Sequence, residues 1–320
     1  MASFFVKSSA SVPKKKVVFV LGSTATGKSK LAVGLALRFG GEVINSDKMQ
    51  VYAGLDVITN KVTPEESAAI PHNLLGFLPP EADFTAADFR LAALRAVKEV
   101  IRRGHLPIVA GGSNTYIKEL VDGNGGEFTR LYECCFVWVD VDREVLESFV
   151  AERVEKMVER GLVDEARAAF DWGRADYAKG IWRSIGVPEM DRYLRREAAA
   201  SPEEKEVLLR EAFEKIKENT QKLAAAQREK ILRFLEEDGW ELQHVDATAA
   251  VLLRAEESAE EVWENEVLNP SVEIVSKFLD NVAEVAPAVA ARGRSLFVAK
   301  SMAASVAGGW RVPVRAGQFK

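Results

Sequence analysis

The residues best suited to chemistry lie near the start of the chain, in residues 22–29. Their sequence, GSTATGKS, matches the pattern G-x-x-x-x-G-K-[ST] and follows the apolar run 17–21, which we predict to be a short buried strand. In such a loop the backbone N–H groups turn toward phosphate oxygens, and the positive end of the following helix adds to the attraction. Lys28 would reach a terminal phosphate, and the Ser29 hydroxyl would bind Mg²⁺. The segment predicts phosphate binding but does not say which reaction follows.

Apolar runs and helical patterns alternate after this loop through the first half of the chain. We predict helices over residues 28–39 and 86–102, and strands over residues 42–45, 106–110 and 136–140. This order favours an α/β fold, in which a parallel sheet carries helices on both faces and ligands bind at the carboxyl ends of its strands. The phosphate loop, Asp47 and residues 111–114 all fall at such strand ends.

From residue 143 onward the pattern is mostly helical, with predicted helices over residues 144–160, 163–172 and 202–237. We therefore predict three regions. Residues 14–142 would form a P-loop core that holds the site. Residues 143–285 would form a smaller helical region that covers the substrates and packs in part on the core, and residues 286–320 a poorly ordered tail.

Composition excludes several classes of protein. The chain has 320 residues, 48% of them hydrophobic, which is enough to bury a substantial core, and we see no membrane-spanning run. Its net charge of −5 disfavours a nucleic-acid partner. The adjacent Cys134 and Cys135 lie in an apolar run, which predicts reduced thiols and no zinc site.

The first 13 residues are rich in Ser, contain no acidic residue and precede three lysines. This composition is typical of an organelle transit peptide, and an ordinary basic leader is the alternative. Since no secretory segment is present, we expect a soluble plastid or cytoplasmic protein.

Four segments in a fixed order narrow the reaction. They are the phosphate loop, residues 44–52 with 54–61 (INSDKMQVY and GLDVITNK), residues 70–75 (IPHNLL) and residues 107–116 (PIVAGGSNTY). Together they resemble the isopentenyltransferase family, which comprises the tRNA dimethylallyltransferases and the adenylate isopentenyltransferases of cytokinin synthesis. The resemblance implies a relative of the P-loop nucleotide kinases whose loop grips the diphosphate of dimethylallyl diphosphate (DMAPP). The N6 amine of an adenine would displace this diphosphate from the prenyl C1.

The resemblance also implies roles for individual residues. Asp47 would accept the proton of N6, and Thr24 would face both the adenine and the Asp47 carboxylate. The predicted catalytic residues are therefore Asp47, Thr24 and Lys28. Asn45 joins Thr24 and Asp47 as a predicted nucleotide ligand. The predicted diphosphate ligands are Gly22, Ala25, Thr26, Gly27, Lys28, Ser29, Ser113 and Arg167, and Ser29 is also the predicted Mg²⁺ ligand. Because an allylic carbon gains positive charge as its C–O bond breaks, the departing anion is what these groups would stabilise.

The resemblance also predicts which molecule accepts the prenyl group, because the tRNA branch of the family has two features that this sequence lacks. That branch carries a long helical insertion after the Gly-Gly strand, and its eukaryotic members often add a zinc finger. Here only residues 122–133 separate the helix at Tyr116 from the strand at Cys134, and no cysteine follows Cys135. The chain therefore looks like a plant adenylate isopentenyltransferase that uses DMAPP and free ATP or ADP rather than AMP, with no tRNA, membrane or protein partner. Candidate ligands of the nucleotide phosphates are Lys179, Arg183 and Lys222.

Three alternatives stay open. One is a tRNA dimethylallyltransferase. Another is a P-loop nucleotide kinase, in which Arg153 and Arg160 would cover the transferred phosphoryl group. A third is a nucleotide-gated interaction protein with no catalysis, which would use Asp140 as its Mg²⁺ partner.

Overall fold

Six parallel strands form one sheet in the part of the chain that the structure, a computed structural model, describes: residues 14–281. The predicted leader and tail lie outside these residues. The strands are β1 (Lys15–Leu21), β2 (Gly41–Asn45), β3 (His72–Asn73), β4 (Leu106–Ala110), β5 (Tyr132–Asp140) and β6 (Leu242–Asp246). Their order across the sheet is β3-β2-β4-β1-β5-β6, and every pair is parallel. The predicted α/β fold with a parallel sheet is confirmed.

β1 lies inside the sheet because its sequence is apolar on both faces. Val17, Phe19 and Leu21 point into one core, and Val18 and Val20 point into the other; all five are fully buried. The strand therefore delivers the loop that follows it to the middle of the sheet's carboxyl edge.

Helices cover both faces of the sheet. They are α1 (Lys28–Phe39), α2 (Pro64–Ser67), α3 (Ala86–Arg102), α4 (Asn114–Leu131), α5 (Arg143–Glu159), α6 (Leu162–Ala168), α7 (Val187–Arg196), α8 (Pro202–Glu236), α9 (Thr248–Leu252), α10 (Ala259–Trp263) and α11 (Asn269–Asp280). A 3-10 turn spans Gly180–Arg183, and a π-helical turn, Glu264–Leu268, joins α10 to α11. α1, α10 and α11 belong to one core, α3 and α4 to the other, and α8 contributes to both.

Two strands were not predicted. β3 has only two residues, and β6 buries only Val245 among its five residues because it forms the outer edge of the sheet beside β5. β6 returns the helical half of the chain to the sheet. The predicted division at residues 142 and 143 stays a prediction.

Three other sequence features can be located. Cys134 and Cys135 are both free, as predicted, and burial raises the pKa of the Cys135 thiol to about 11. The glycine-rich residues 123–126 interrupt α4 with a non-helical backbone. Among the helices described, none has the length and apolar character needed to cross a bilayer.

Candidate active site

The phosphate loop joins the end of β1 to the start of α1. Gly27 caps α1 with a left-handed φ of 89°, and Ala25 has a φ of 67°, which is uncommon for alanine. The Thr26 hydroxyl donates to the Ser23 carbonyl at 3.0 Å, and the Ser23 hydroxyl donates to the Ala224 carbonyl on α8 at 2.9 Å. The first amides of α1 have no partner within the helix, so they are available to an anion. The loop is thus held in shape from inside and by α8.

Lys28 extends along the inside of this loop. Its Nζ donates to the Ser23 carbonyl at 2.5 Å. Burial, and after it the nearby charge of Arg153, lower the pKa of this ammonium from 10.5 to about 8, although Asp47 opposes the shift. An anion bound in the loop would offset the repulsion between the two cations.

Asp47 follows β2 and is held by its own turn. Its Oδ1 accepts from the amide of Met49 at 2.8 Å, and its own amide donates to Asn45 Oδ1 at 3.1 Å. The Asn45 amide nitrogen donates to the carbonyls of Asp47 and Leu74 at 3.2 and 3.1 Å. Within residues 14–281 no hydrogen bond engages Oδ2 of Asp47, so that oxygen is the one able to accept a proton.

Arg153 on α5 also reaches the loop. Its Nη1 donates to the Thr24 hydroxyl at 2.8 Å. Burial lowers the pKa of its guanidinium, and Asp47 partly restores it. From the sequence, Arg153 was expected to contact substrate only in the kinase alternative, where it would cover the transferred phosphoryl group. The structure instead groups it with Thr24, Lys28 and Asp47.

Gln227 on α8 joins the phosphate loop to the turn after β4. Its Oε1 accepts from the amide of Thr24 at 2.7 Å, and its Nε2 donates to the Gly112 carbonyl at 3.0 Å. The carbonyl of Gln227 accepts from the Asn114 side chain at 2.8 Å. One buried side chain therefore sets the distance between the two loops that were predicted to bind diphosphate.

Comparison with known proteins identifies the group to which this site belongs. A family model described as IPP transferase matches residues 50–131 and 124–231. The chain belongs to this family. It is 55% identical over 268 residues to adenylate isopentenyltransferase 5, chloroplastic, of Arabidopsis thaliana, covering 83% of this chain and 81% of that protein. It is 50% identical over 280 residues to adenylate isopentenyltransferase 3, chloroplastic, of the same plant, covering 87% of this chain and 83% of that protein. The resemblance drawn from four sequence segments is confirmed, and the protein is a prenyltransferase.

Two solved structures of transferases that act on tRNA share the fold. A eukaryotic dimethylallyltransferase acting on tRNA superposes with a TM-score of 0.68 at 22% identity, covering 83% of this chain and 80% of that one. The tRNA isopentenylpyrophosphate transferase of Bacillus halodurans gives 0.61 at 25% identity, covering 83% and 100%. At such identities the likeness concerns the fold.

The structure brings most of the predicted diphosphate ligands of this IPP transferase together, but not Arg167. Ser113 lies beside the Asp47 turn, where its hydroxyl accepts from the amide of Lys48 at 2.7 Å. The Arg167 guanidinium is held by Glu197 at 3.0 and 2.6 Å and by Asp164 at 2.5 Å. A role for Arg167 in diphosphate binding stays a prediction, and it would require this ion pair to open.

The oxygen donors near the phosphate loop fit the predicted Mg²⁺. Among the described residues, no cluster of three or more His, Cys, Asp or Glu is arranged to hold a metal. Mg²⁺ at phosphate sites takes few protein ligands and completes its shell with substrate oxygens and water, so the exposed Ser29 hydroxyl on the first turn of α1 is chemically suited. Asp140 is already bound by Arg228 at 2.8 and 3.0 Å.

A second group of cations adjoins the Asp47 turn through Lys48, the residue that follows Asp47. Burial lowers the pKa of Lys48, as does the charge of Arg183; Asp83 opposes the shift, and Lys230 adds to it. Arg183 Nη2 lies 3.3 Å from the Tyr52 hydroxyl, and its buried Nε has no hydrogen-bond partner within residues 14–281. Lys48, Arg183 and Lys230 form no salt bridge within the same residues. Lys48 thus lies near two like charges, and no salt bridge within the described residues neutralises it, which indicates a place for a second anion.

Proposed function

We propose that the enzyme transfers the dimethylallyl group of DMAPP to N6 of the adenine of free ATP or ADP, releasing diphosphate, in cytokinin synthesis. The observation that carries the proposal is that Asp47 adjoins two separate groups of cations: Lys28 with Arg153, and Lys48 with Arg183. A transfer between two phosphorylated substrates requires a cationic site for each of them and a proton acceptor beside both. The names of the two plant relatives support an adenine nucleotide as acceptor.

The first group would stabilise the leaving group. As the C–O bond of DMAPP breaks, negative charge grows on the diphosphate, and the loop amides, Lys28 and Arg153 would stabilise that charge. Preorganised charge in a water-poor site is commonly the largest contribution to such a reaction. When bound through Ser29, Mg²⁺ would neutralise a further part of the diphosphate charge.

Asp47 would activate the acceptor. The lone pair of an adenine N6 is delocalised into the ring, so removal of its proton during attack raises its nucleophilicity. The amide of Met49 fixes one oxygen of Asp47 at 2.8 Å, which leaves Oδ2 to take the proton. A positioned base of this kind contributes about 10² to 10⁴ fold in rate.

The second group would hold the phosphate tail of the nucleotide. Arg183 was one of three candidates proposed from the sequence, and the other two have less suitable surroundings. Lys222 pairs with Glu218 at 2.6 Å on an exposed helix face, and Lys179 is exposed. Several cations favour a tail of two or three phosphates over one, because each added charge adds a partner. This supports ATP and ADP over AMP.

We also propose that the enzyme works in the plastid. The support is the word chloroplastic in the names of the two plant relatives and the composition of residues 1–13.

An acceptor assay tests the proposal. The enzyme is incubated with Mg²⁺, labelled DMAPP and one of ATP, ADP, AMP or an anticodon stem-loop. Label should pass to ATP and ADP. Label on the stem-loop alone would overturn the free-nucleotide acceptor, and loss of the γ-phosphate without label transfer would indicate a kinase.

A charge-neutral variant tests the role of Asp47. Asp47→Asn should keep its affinity for DMAPP and lose about 10² fold or more in kcat. Asp176→Asn is a matched control, since the Asp176 carboxylate accepts from the amide of Ala178 at 2.7 Å in a similar turn on an exposed loop. Equal turnover of the two variants would remove Asp47 from its proposed role.

A further inference from the structure

The C-terminal segment, α10, the π-helical turn and α11, packs closely against the helix that begins at the phosphate loop. Gly27 and Gly34 lie two turns apart, on one face of α1. A Cβ on Gly27 would lie 2.5 Å from Cη2 of Trp263, and a Cβ on Gly34 would lie 2.8 Å from Cδ1 of Leu268. Both distances are well below van der Waals contact. Because glycine has no side chain, Gly27 and Gly34 let the C-terminal segment approach the backbone of α1 closely.

Trp263 makes the contact nearest the site. The edge of its six-membered ring meets Gly27, and the side chain is buried, with 7% of its surface exposed. Lys30 Nζ lies 4.7 Å from the centroid of the indole and 2.6 Å from the carboxylate of Glu260. This cation–π contact and ion pair hold the indole in one orientation.

Gly27 is the point at which the loop becomes a helix. Its left-handed φ of 89° suits glycine, and its carbonyl accepts from the amide of Leu31 at 3.0 Å. The amides at the start of α1 depend on this turn for their direction. A space behind Gly27 would let the turn move away from a bound anion.

We propose that Trp263 is a positioning residue for the prenyl transfer: it supports Gly27 from behind and so holds the first amides of α1 against the diphosphate of the prenyl donor. The inference rests on the proposed function, in which that diphosphate lies in the loop. The inference predicts different effects on the two substrates, because Trp263 packs against Gly27 at the donor site and not against Lys48 or Arg183. Loss of the indole should weaken binding of the donor and leave binding of the nucleotide unchanged.

The test compares two buried tryptophans. Trp263→Leu is measured beside Trp240→Leu, which removes a similarly buried side chain, 9% exposed, that stacks on Phe136 and Phe234 in the other core. Isothermal titration with pyrophosphate and Mg²⁺ reports the loop directly, and steady-state assays give KM for DMAPP and for ATP. Trp263→Leu should weaken pyrophosphate binding and raise KM for DMAPP by about tenfold, with KM for ATP within about twofold of wild type. Trp240→Leu should lower Tm and change neither constant.

The outcomes separate this inference from the proposed function. If wild type and Trp263→Leu bind pyrophosphate equally, the inference is wrong and the proposed function stands. If wild type does not bind pyrophosphate, the proposed function is wrong, and the inference is overturned with it. Should Trp263→Leu not fold, Trp263→Phe serves instead, because its ring is aromatic but reaches less far toward Gly27. It should weaken pyrophosphate binding by about threefold, and unchanged binding would contradict the inference.

Discussion

Replacement of Gln227 by leucine would remove the side-chain hydrogen bonds by which α8 joins the two loops of the site. The Gln227 side chain is 8% exposed and makes two hydrogen bonds, from Thr24 N at 2.7 Å and to the Gly112 carbonyl at 3.0 Å. Leucine has a similar size but neither a donor nor an acceptor. The variant therefore removes both bonds while largely keeping the packing.

The size of the effect follows from what each partner retains. The Gly112 carbonyl keeps a bond from the amide of Asn114 at 3.0 Å, and Thr24 N is only partly buried. Neither group bears the full cost of an unsatisfied buried atom, so the free energy of unfolding should fall by about 2 kcal/mol. The effect on catalysis should be larger, because a shift of about 1 Å between reacting groups can lower the rate by about 10² fold.

Urea denaturation measures the free energy of unfolding, and transfer of the labelled prenyl group from DMAPP to ATP measures kcat/KM. Gln221→Leu is the matched control, since Gln221 lies on the same helix and donates one hydrogen bond, to the Glu147 carbonyl at 3.2 Å. The control should keep a nearly normal kcat/KM. If Gln227→Leu keeps wild-type kcat/KM at the expected loss of stability, the two loops do not depend on this side chain for their spacing.

Three further predictions concern charge. The pKa of Lys28 is lowered to about 8, so DMAPP affinity should be constant just below that pH and fall about tenfold per pH unit above it. Binding titrations with DMAPP at a series of pH values above about 7.5 measure this fall. The variant Lys28→Arg, which stays charged, should remove the pH dependence. The hydrogen bonds from Arg103 lower the pKa of the buried Glu42 from 4.5 to about 2, so this carboxylate contributes about 3 kcal/mol of stability above pH 4.5, which is lost as the pH falls toward 2. Urea denaturation of Glu42→Gln should therefore show a large loss at neutral pH and little at pH 2, whereas the exposed Glu99→Gln should show little at either. Arg183→Met should raise KM for ATP by about fivefold or more without changing KM for DMAPP, and an equal KM for ATP would contradict a role in holding the phosphate tail.

The parts of the molecule that depend on local sequence could be predicted. The helices predicted over residues 28–39 and 86–102 have these bounds in the structure, because a left-handed glycine at 27 and the capping box of Thr85 with Asp88 mark where they begin. The phosphate loop and Asp47 were located by their places after apolar strands.

The contacts between distant residues could not be predicted. Gln227 meets Thr24 and Arg153 meets Thr24 only because α8 and α5 pack over the loop, and no local pattern encodes a contact across so much chain. The surroundings of Arg167 are a further example. Its role in diphosphate binding stays a prediction, and the contact of its guanidinium with Glu197, 30 residues further along the chain, was not predicted. β6 was missed because an edge strand that buries one residue lacks an apolar repeat.

The parallel sheet also governs how this site is assembled during synthesis. Val18 pairs with Ile108 on one side and Cys135 on the other, so β1 has no neighbours until most of the first half of the chain has left the ribosome. The nascent chain then still lacks α8, which holds the loop through Gln227 and Ala224. A topology dominated by such long-range pairings folds slowly. A fragment that stops before α8 would therefore display the whole glycine-rich signature and yet lack the pocket that makes it useful.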